Sequence, residues 1–176
     1  MKHISVLISI IFFISSSISA QPTQDPAFGQ EIEKMLEYGV STITIKDFKK
    51  MLKNEKVVIL DAREKHEYDV SHIKGSKWLG HNSLNKAVLE KLDKNATIVV
   101  YCTVGIRADK VGSRLEKMGF KNVFNLLGSI VEWVNQGNIV IDANNEPTSN
   151  VHAYREEYAK WLTGGTKVLE EEEEEE

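Results

Sequence analysis

The chain has 176 residues, 22 basic and 26 acidic side chains, a formal net charge of −4 and a single cysteine. Without the first 20 residues and the terminal glutamate run, 21 basic residues face 19 acidic ones, so the acidity belongs to the tail and the body is close to neutral. That balance excludes the basic footprint of a nucleic-acid binder, and one cysteine excludes an internal disulfide, a CxxC redox motif and a cysteine-based zinc site.

The N-terminus has the layout of a secretory signal peptide. Met1, Lys2 and His3 make a short basic start, residues 4–14 are almost wholly apolar, and residues 15–20 are small and end at Ala20. The apolar stretch is shorter than the roughly 20 residues that span a bilayer, and no cysteine follows it to carry a lipid. Cleavage after Ala20, with Ser19 as the second choice, would leave a periplasmic or secreted protein without a stable membrane anchor. About 150 residues remain, enough for one domain with its own core.

Residues 21–41 read as a leader. Pro22, Pro26 and Gly29 mark a flexible stretch over 21–29, and Ile32, Met35 and Leu36 share one face of a short helix over 31–38 that stops at Gly39. Residues 42–141 read as the main domain. The β-branched run 42–45 is a strand, and Phe48, Met51 and Leu52 have helical spacing over 47–52. Residues 57–60 form a continuous apolar strand, as expected when both faces are covered. A polar helical turn over 64–68 follows. Leu84, Val88 and Leu92 mark another helix, residues 97–101 a third strand, and residues 122–126 a fourth. Between the last two, Ala108, Val111, Leu115 and Met118 make an apolar stripe on a helix ending at Gly119. Residues 129–134 form a short helix with Trp133, and residues 139–141 a short edge strand.

Residues 142–168 read as a polar loop followed by an amphipathic helix over 151–162, carrying Tyr154, Tyr158, Trp161 and Leu162 on one face and folded back onto the domain. Residues 169–176 are an acidic tail, self-repelling, with the layout of a vector-encoded tail. Strands alternating with helices predict an α/β fold: a mostly parallel sheet with helices on both faces, and functional groups beyond the carboxyl ends of the strands. Asp61 and Cys102 each occupy such an end.

Cys102 opens the segment Cys102, Thr103, Val104, Gly105, Ile106, Arg107 between a strand and a helix. Loop amides, the positive end of the following helix and Arg107 together make an anion-binding device that favours the thiolate, the reactive form of cysteine. Cys102 is therefore the candidate nucleophile, and Thr103, Val104, Gly105, Ile106 and Arg107 are the candidate substrate-binding residues. Asp61 is a candidate support for the loop through a hydrogen bond. Arg63 and Glu67 are expected to form a structural ion pair, and His72 to be structural. His66, His81 and His152 show no ligand spacing and are expected at the surface. Lys74 and Lys77 would lend positive charge to the rim. Nothing in the sequence calls for a metal or an organic cofactor.

These segments, in order, resemble a single-domain rhodanese, a sulfurtransferase. The likeness runs over about residues 43–136. It rests on Leu60, Asp61, Ala62 and Arg63 with Glu67 and Tyr68, and on the stretch from Tyr68 through His72 and Ile73 to Gly75. The loop from Cys102 to Arg107 and the segment Leu127, Gly128 to Trp133 complete it. Lys74 stands where the family has proline, Ser76 where it has alanine, and Ser129 where it has a second glycine. A signal peptide before one such domain is similar to the small periplasmic rhodaneses of bacteria.

The resemblance implies a persulfide on Cys102, formed from a small anionic sulfur donor such as thiosulfate and passed to a thiol or cyanide acceptor, with no cofactor; the charge balance, for its part, points to no nucleic-acid partner. Two alternatives stay open on the residues alone. One is a cysteine-dependent phosphatase or arsenate reductase, whose loop has five residues between cysteine and arginine where this one has four, and commonly histidine where this one has Tyr101. The other is a non-enzymatic module that binds a partner or carries sulfane sulfur.

Overall fold

The protein, seen as a computed structural model, is described over residues 23–54 and 56–170. The expected signal peptide, its cleavage point at Ala20 and the last six glutamates lie outside the described residues. The central sheet has five strands, β1 (Thr42–Ile43), β2 (Val57–Asp61), β3 (Lys77–Trp78), β4 (Thr97–Tyr101) and β5 (Asn122–Leu126), in the spatial order β1-β5-β4-β2-β3. Every neighbouring pair runs parallel. Around it lie α1 (Pro26–Met35), α2 (Ile45–Asn54), α3 (Lys65–Val70), α4 (Lys86–Leu89), α5 (Ile106–Lys117) and α6 (Ser129–Asn135). This is the expected α/β architecture.

The alternation of side chains along a strand divides the core into two layers. In β4, Ile98 and Val100 face Ala108, Val111 and Leu115 of α5, and Cys102 continues that face. Val99 and Tyr101 point the other way, into a layer with Phe28 of α1, Phe48 of α2 and Ile130 of α6. Helices therefore cover both faces, which is why residues 57–60 of β2 and 98–100 of β4 are apolar without alternation.

The leader differs from expectation. Residues 26–35 are already helical, and the helix ends before Tyr38. Pro26 and Gly29 look like breakers, but Asp25 caps the helix by accepting from Ala27 N–H at 2.8 Å, and Pro26 sits in the first turn, where its missing N–H costs nothing. Phe28 and Ile32 are then buried against the domain. The helix around Leu84 to Leu92 shrinks to the single turn of α4, and β3 is a strand too short for sequence periodicity to mark.

The C-terminal segment departs most. In place of one helix over 151–162 there is β8 (Asn150–His152), a single turn α7 (Glu156–Ala159) and β9 (Thr166–Val168), with β8 and β9 paired in parallel. Before them, β6 (Val140–Ile141) pairs antiparallel with β7 (Pro147–Thr148) inside the expected polar loop. The reason is local. Tyr154 adopts φ +68°, a left-handed conformation that ends any helix, and Val151 is buried in extended backbone. The segment does pack back on the domain, with Val151 and Leu162 in the layer that holds Phe28 and Trp133. No described helix is long and apolar enough to cross a membrane.

Candidate functional site

Cys102 follows β4 directly, and β4 lies between β2 and β5. Its loop is held from outside by its carbonyls. Ile130 and Val131 of α6 donate their N–H groups to the carbonyls of Cys102 and Thr103, each at 3.2 Å. Asn125 Nδ2 and Asp109 N–H both donate to the Gly105 carbonyl, at 3.0 and 2.9 Å. Ser129 Oγ accepts from Cys102 N–H at 3.0 Å and donates to the Leu126 carbonyl. With the carbonyls of Cys102, Thr103 and Gly105 held from outside, the Gly105 N–H reaches Cys102 Sγ at 3.2 Å.

Two glycines make this possible. Gly105 has φ +122°, and a Cβ there would meet only ordinary contacts with Asn125 and Ile32, so its requirement is conformational rather than steric. Gly128, at φ +71°, is needed for space as well: a Cβ would lie 2.5 Å from Glu132 Cβ. That close approach lets α6 start beneath the loop.

Arg107 is bound within the protein. Its Nη1 donates to Glu67 Oε2 at 2.5 Å, and its Nη2 to Glu67 Oε1 and Thr103 Oγ1, both at 2.7 Å. Burial alone would raise the Glu67 carboxyl, but the hydrogen bonds and charge of Arg107 outweigh it and hold Glu67 below the usual carboxylate range. Burial would likewise lower Arg107, and Glu67 together with a charge on Cys102 reverses that upward. Arg107 thus ties the loop to Glu67 and to Thr103.

The expected Arg63–Glu67 pair does not form. Arg63 pairs with Asp61 at 2.7 Å and donates to the Ser71 carbonyl, all fully buried. The two residues leave the end of β2 close together, whereas α3 turns Glu67 toward the loop. Asp61 bonds through its side chain to Arg63 and to the Tyr101 hydroxyl, and its carbonyl accepts from Leu79 and Gly80 N–H, so it reaches the residue before Cys102 and not the loop itself. The side chains that brace the loop are Glu67, Asn125 and Ser129. Sequence reasoning assigned none of them to it, although Glu67 and Ser129 stand inside segments it singled out.

Among the histidines, His72 is structural, stacked on Tyr68 with ring centroids 3.8 Å apart. His152 is buried rather than on the surface, because β8 carries it under α3, next to His66. His66, His152 and Glu170 have ligand atoms within 4.8 Å of one another. Lys74 lines a separate cavity beside Trp133, and Lys77 is exposed; neither lines the cysteine cavity.

That cavity has a volume of about 430 Å³. It is lined by Cys102, Thr103, Val104, Ile106 and Arg107 of the loop, by Tyr154 and Tyr158, and by the polar side chains of Glu64, His81, Asn82 and Glu170. Cys102 itself is 1% exposed, so the sulfur is reached through this opening alone among the described cavities.

The structure thus places a buried cysteine, met by the Gly105 N–H, just beyond the end of a parallel strand on an α/β scaffold. The family model for the rhodanese-like domain matches residues 44–136, and the chain belongs to that family. It is 31% identical over 102 residues to a tRNA uridine(34) hydroxylase of Buchnera aphidicola, covering 55% of this chain and 33% of that protein. It is 33% identical over 98 residues to a probable adenylyltransferase/sulfurtransferase of Mycobacterium tuberculosis, covering 54% of this chain and 25% of that one. The chain thus spans about a third or less of the length of these curated relatives. A solved structure of thiosulfate sulfurtransferase from Pseudomonas aeruginosa superposes with a TM-score of 0.54 at 25% identity, covering 66% of this chain and 22% of that one.

Proposed function

We propose that the protein is a sulfurtransferase working through a persulfide on Cys102. The observation that carries this reading is the Gly105 N–H on Cys102 Sγ within a loop that has only four residues between Cys102 and Arg107. A ring this tight suits one extra sulfur on the thiolate, whereas a tetrahedral phosphate needs a wider set of amides.

The Cys102 thiolate attacks the outer sulfur of thiosulfate. The new S–S bond forms as the donor's S–S bond breaks, and sulfite leaves with the bonding pair. Cyanide or a thiolate then attacks the outer sulfur of the persulfide and regenerates the Cys102 thiolate. No external oxidant or reductant is consumed. The amides stabilise negative charge on the transferred sulfur without a competing base, and Arg107 adds a fixed positive field.

The test is turnover with thiosulfate and cyanide beside a phosphate-ester assay. Thiosulfate should add the mass of one sulfur to Cys102, removable by cyanide. Phosphate-ester hydrolysis without sulfur transfer would replace this reading with the phosphatase one, and a persulfide that no acceptor removes would make the protein a carrier. We further propose export: the mature chain, isolated from a secreting host, should begin at Gln21.

A further inference from the structure

The segment beyond the family match supplies part of the cavity. Tyr154 and Tyr158 lie outside residues 44–136, yet both line the space over Cys102. Tyr154 is locked in place. Its ring centroid lies 4.6 Å from the Arg107 guanidinium and 4.8 Å from that of Arg155, and Arg155 Nη2 donates to its hydroxyl at 3.3 Å. Its φ of +68° is a strained backbone for a bulky residue, and such strain persists where the surroundings over-determine it, commonly at binding sites. Tyr158 stacks beside it, with ring centroids 6.3 Å apart and planes 19° from parallel.

Two aromatic faces are of no use to a diatomic acceptor such as cyanide. A cavity of about 430 Å³ falls in the range that takes small organic ligands, roughly 300–1,000 Å³. Arg107 spends its guanidinium on Glu67 and Thr103, so it does not offer a free fork to an anionic body.

We propose that Tyr154 and Tyr158 form an acceptor subsite for a small organic thiol with an apolar or aromatic body, seated on the tyrosine wall with its sulfur over Cys102. The inference rests on the sulfurtransferase reading and names the acceptor class for that site. The thiol loses its proton to solvent, and its thiolate attacks the outer sulfur of the Cys102 persulfide. The acceptor–sulfur bond forms, the Cys102 Sγ–S bond breaks, and the products are an organic persulfide and the Cys102 thiolate, with no net oxidation.

The experiment preloads the full chain with thiosulfate and scores the added sulfur by mass. It then measures unloading by two neutral thiols of the form R–CH2–SH, benzyl mercaptan, where R is phenyl, and 2-mercaptoethanol, where R is hydroxymethyl. Wild type should favour benzyl mercaptan by about three- to tenfold, the span expected of one aromatic contact. Tyr158→Ala and Tyr154→Ala should bring the ratio of the two rates close to one, and Tyr158→Phe should keep it. A wild-type ratio near one, or one that survives both alanine variants, overturns the subsite. Failure to load sulfur at all counts against the sulfurtransferase reading instead. A Tyr158→Phe ratio near one also overturns the subsite, because that variant keeps the ring, so a poorly folded alanine variant does not rescue the proposal.

Discussion

At the scale of residues, the site separates the atom that reacts from the atoms that hold it. The chain has no second thiol, so Cys102→Ser should abolish both sulfur loading and turnover, read by intact mass and thiocyanate release. Gly105→Ala should be nearly as damaging without touching the sulfur. The φ of +122° costs a side chain on the order of 1–3 kcal/mol, and relief of that strain would pull the Gly105 amide off Sγ. Loading by thiosulfate should slow at least tenfold, and loading at the wild-type rate would show that this amide is dispensable. Arg107 carries a different prediction from that of a mere substrate contact. Arg107→Ala strands Glu67, whose side chain is fully buried, and an orphaned buried charge costs about 3–5 kcal/mol. Denaturant unfolding should show that loss, and Glu67→Gln added to Arg107→Ala should recover part of it, since the stranded charge is then gone. Turnover should stay low in the double variant, because the field at the sulfur is not restored.

At the scale of elements, what the sequence made legible follows from where information is local. β4, α5 and β5 each bury a continuous or periodic apolar face, so their bounds are readable, and the loop between β4 and α5 is readable as a consequence. The partners of that loop were not. Glu67 reaches Arg107 across 40 positions of sequence, and no periodicity reports a pairing of that kind. The C-terminal segment misled for a different reason. Tyr154, Tyr158, Trp161 and Leu162 have helical spacing, but that spacing says nothing about the left-handed backbone at Tyr154, which separates β8 from the single turn α7. Loop length is the element-scale variable that matters to chemistry. The Gly105 carbonyl is pinned by Asn125 and by Asp109 N–H, so one glycine inserted after Gly105 must widen the ring on its Ile106 side. Thiosulfate turnover should fall tenfold or more, and arsenate should become a better inhibitor than of the wild type. Unchanged turnover would mean that ring size does not select the substrate.

For the whole molecule, the buried titratable groups set how stability responds to acid. Burial lowers the pKa of His72, of His81, where Arg107 and Lys110 add to it, and of His152, where Glu67 partly opposes it. A histidine whose folded pKa lies below its ordinary value of 6.5 binds fewer protons folded than unfolded. Stability is therefore complete above 6.5 and drains away as the pH falls through that value toward the folded one. Glu67, held below its ordinary value of 4.5, acts later: its contribution is present above 4.5 and is lost as the pH falls below it through its folded pKa. Glu132 works in the opposite sense. Burial raises its carboxyl, against the hydrogen bonds it accepts from Gln136 and from Gln24 N–H, so it costs stability as the pH rises from 4.5. The expected profile is a loss in two stages on acidification, the first beginning near pH 6.5 and the second near pH 4.5. Denaturant midpoints between pH 7.5 and 3.5 would trace it. His81→Gln, the least buried of the three histidines, should flatten the first stage. Glu132→Gln should raise stability most at pH 7.5 and leave it least changed at pH 3.5. A midpoint that stays constant from pH 7.5 down to pH 5 would mean that these histidines are hydrated enough to take up protons in the folded protein.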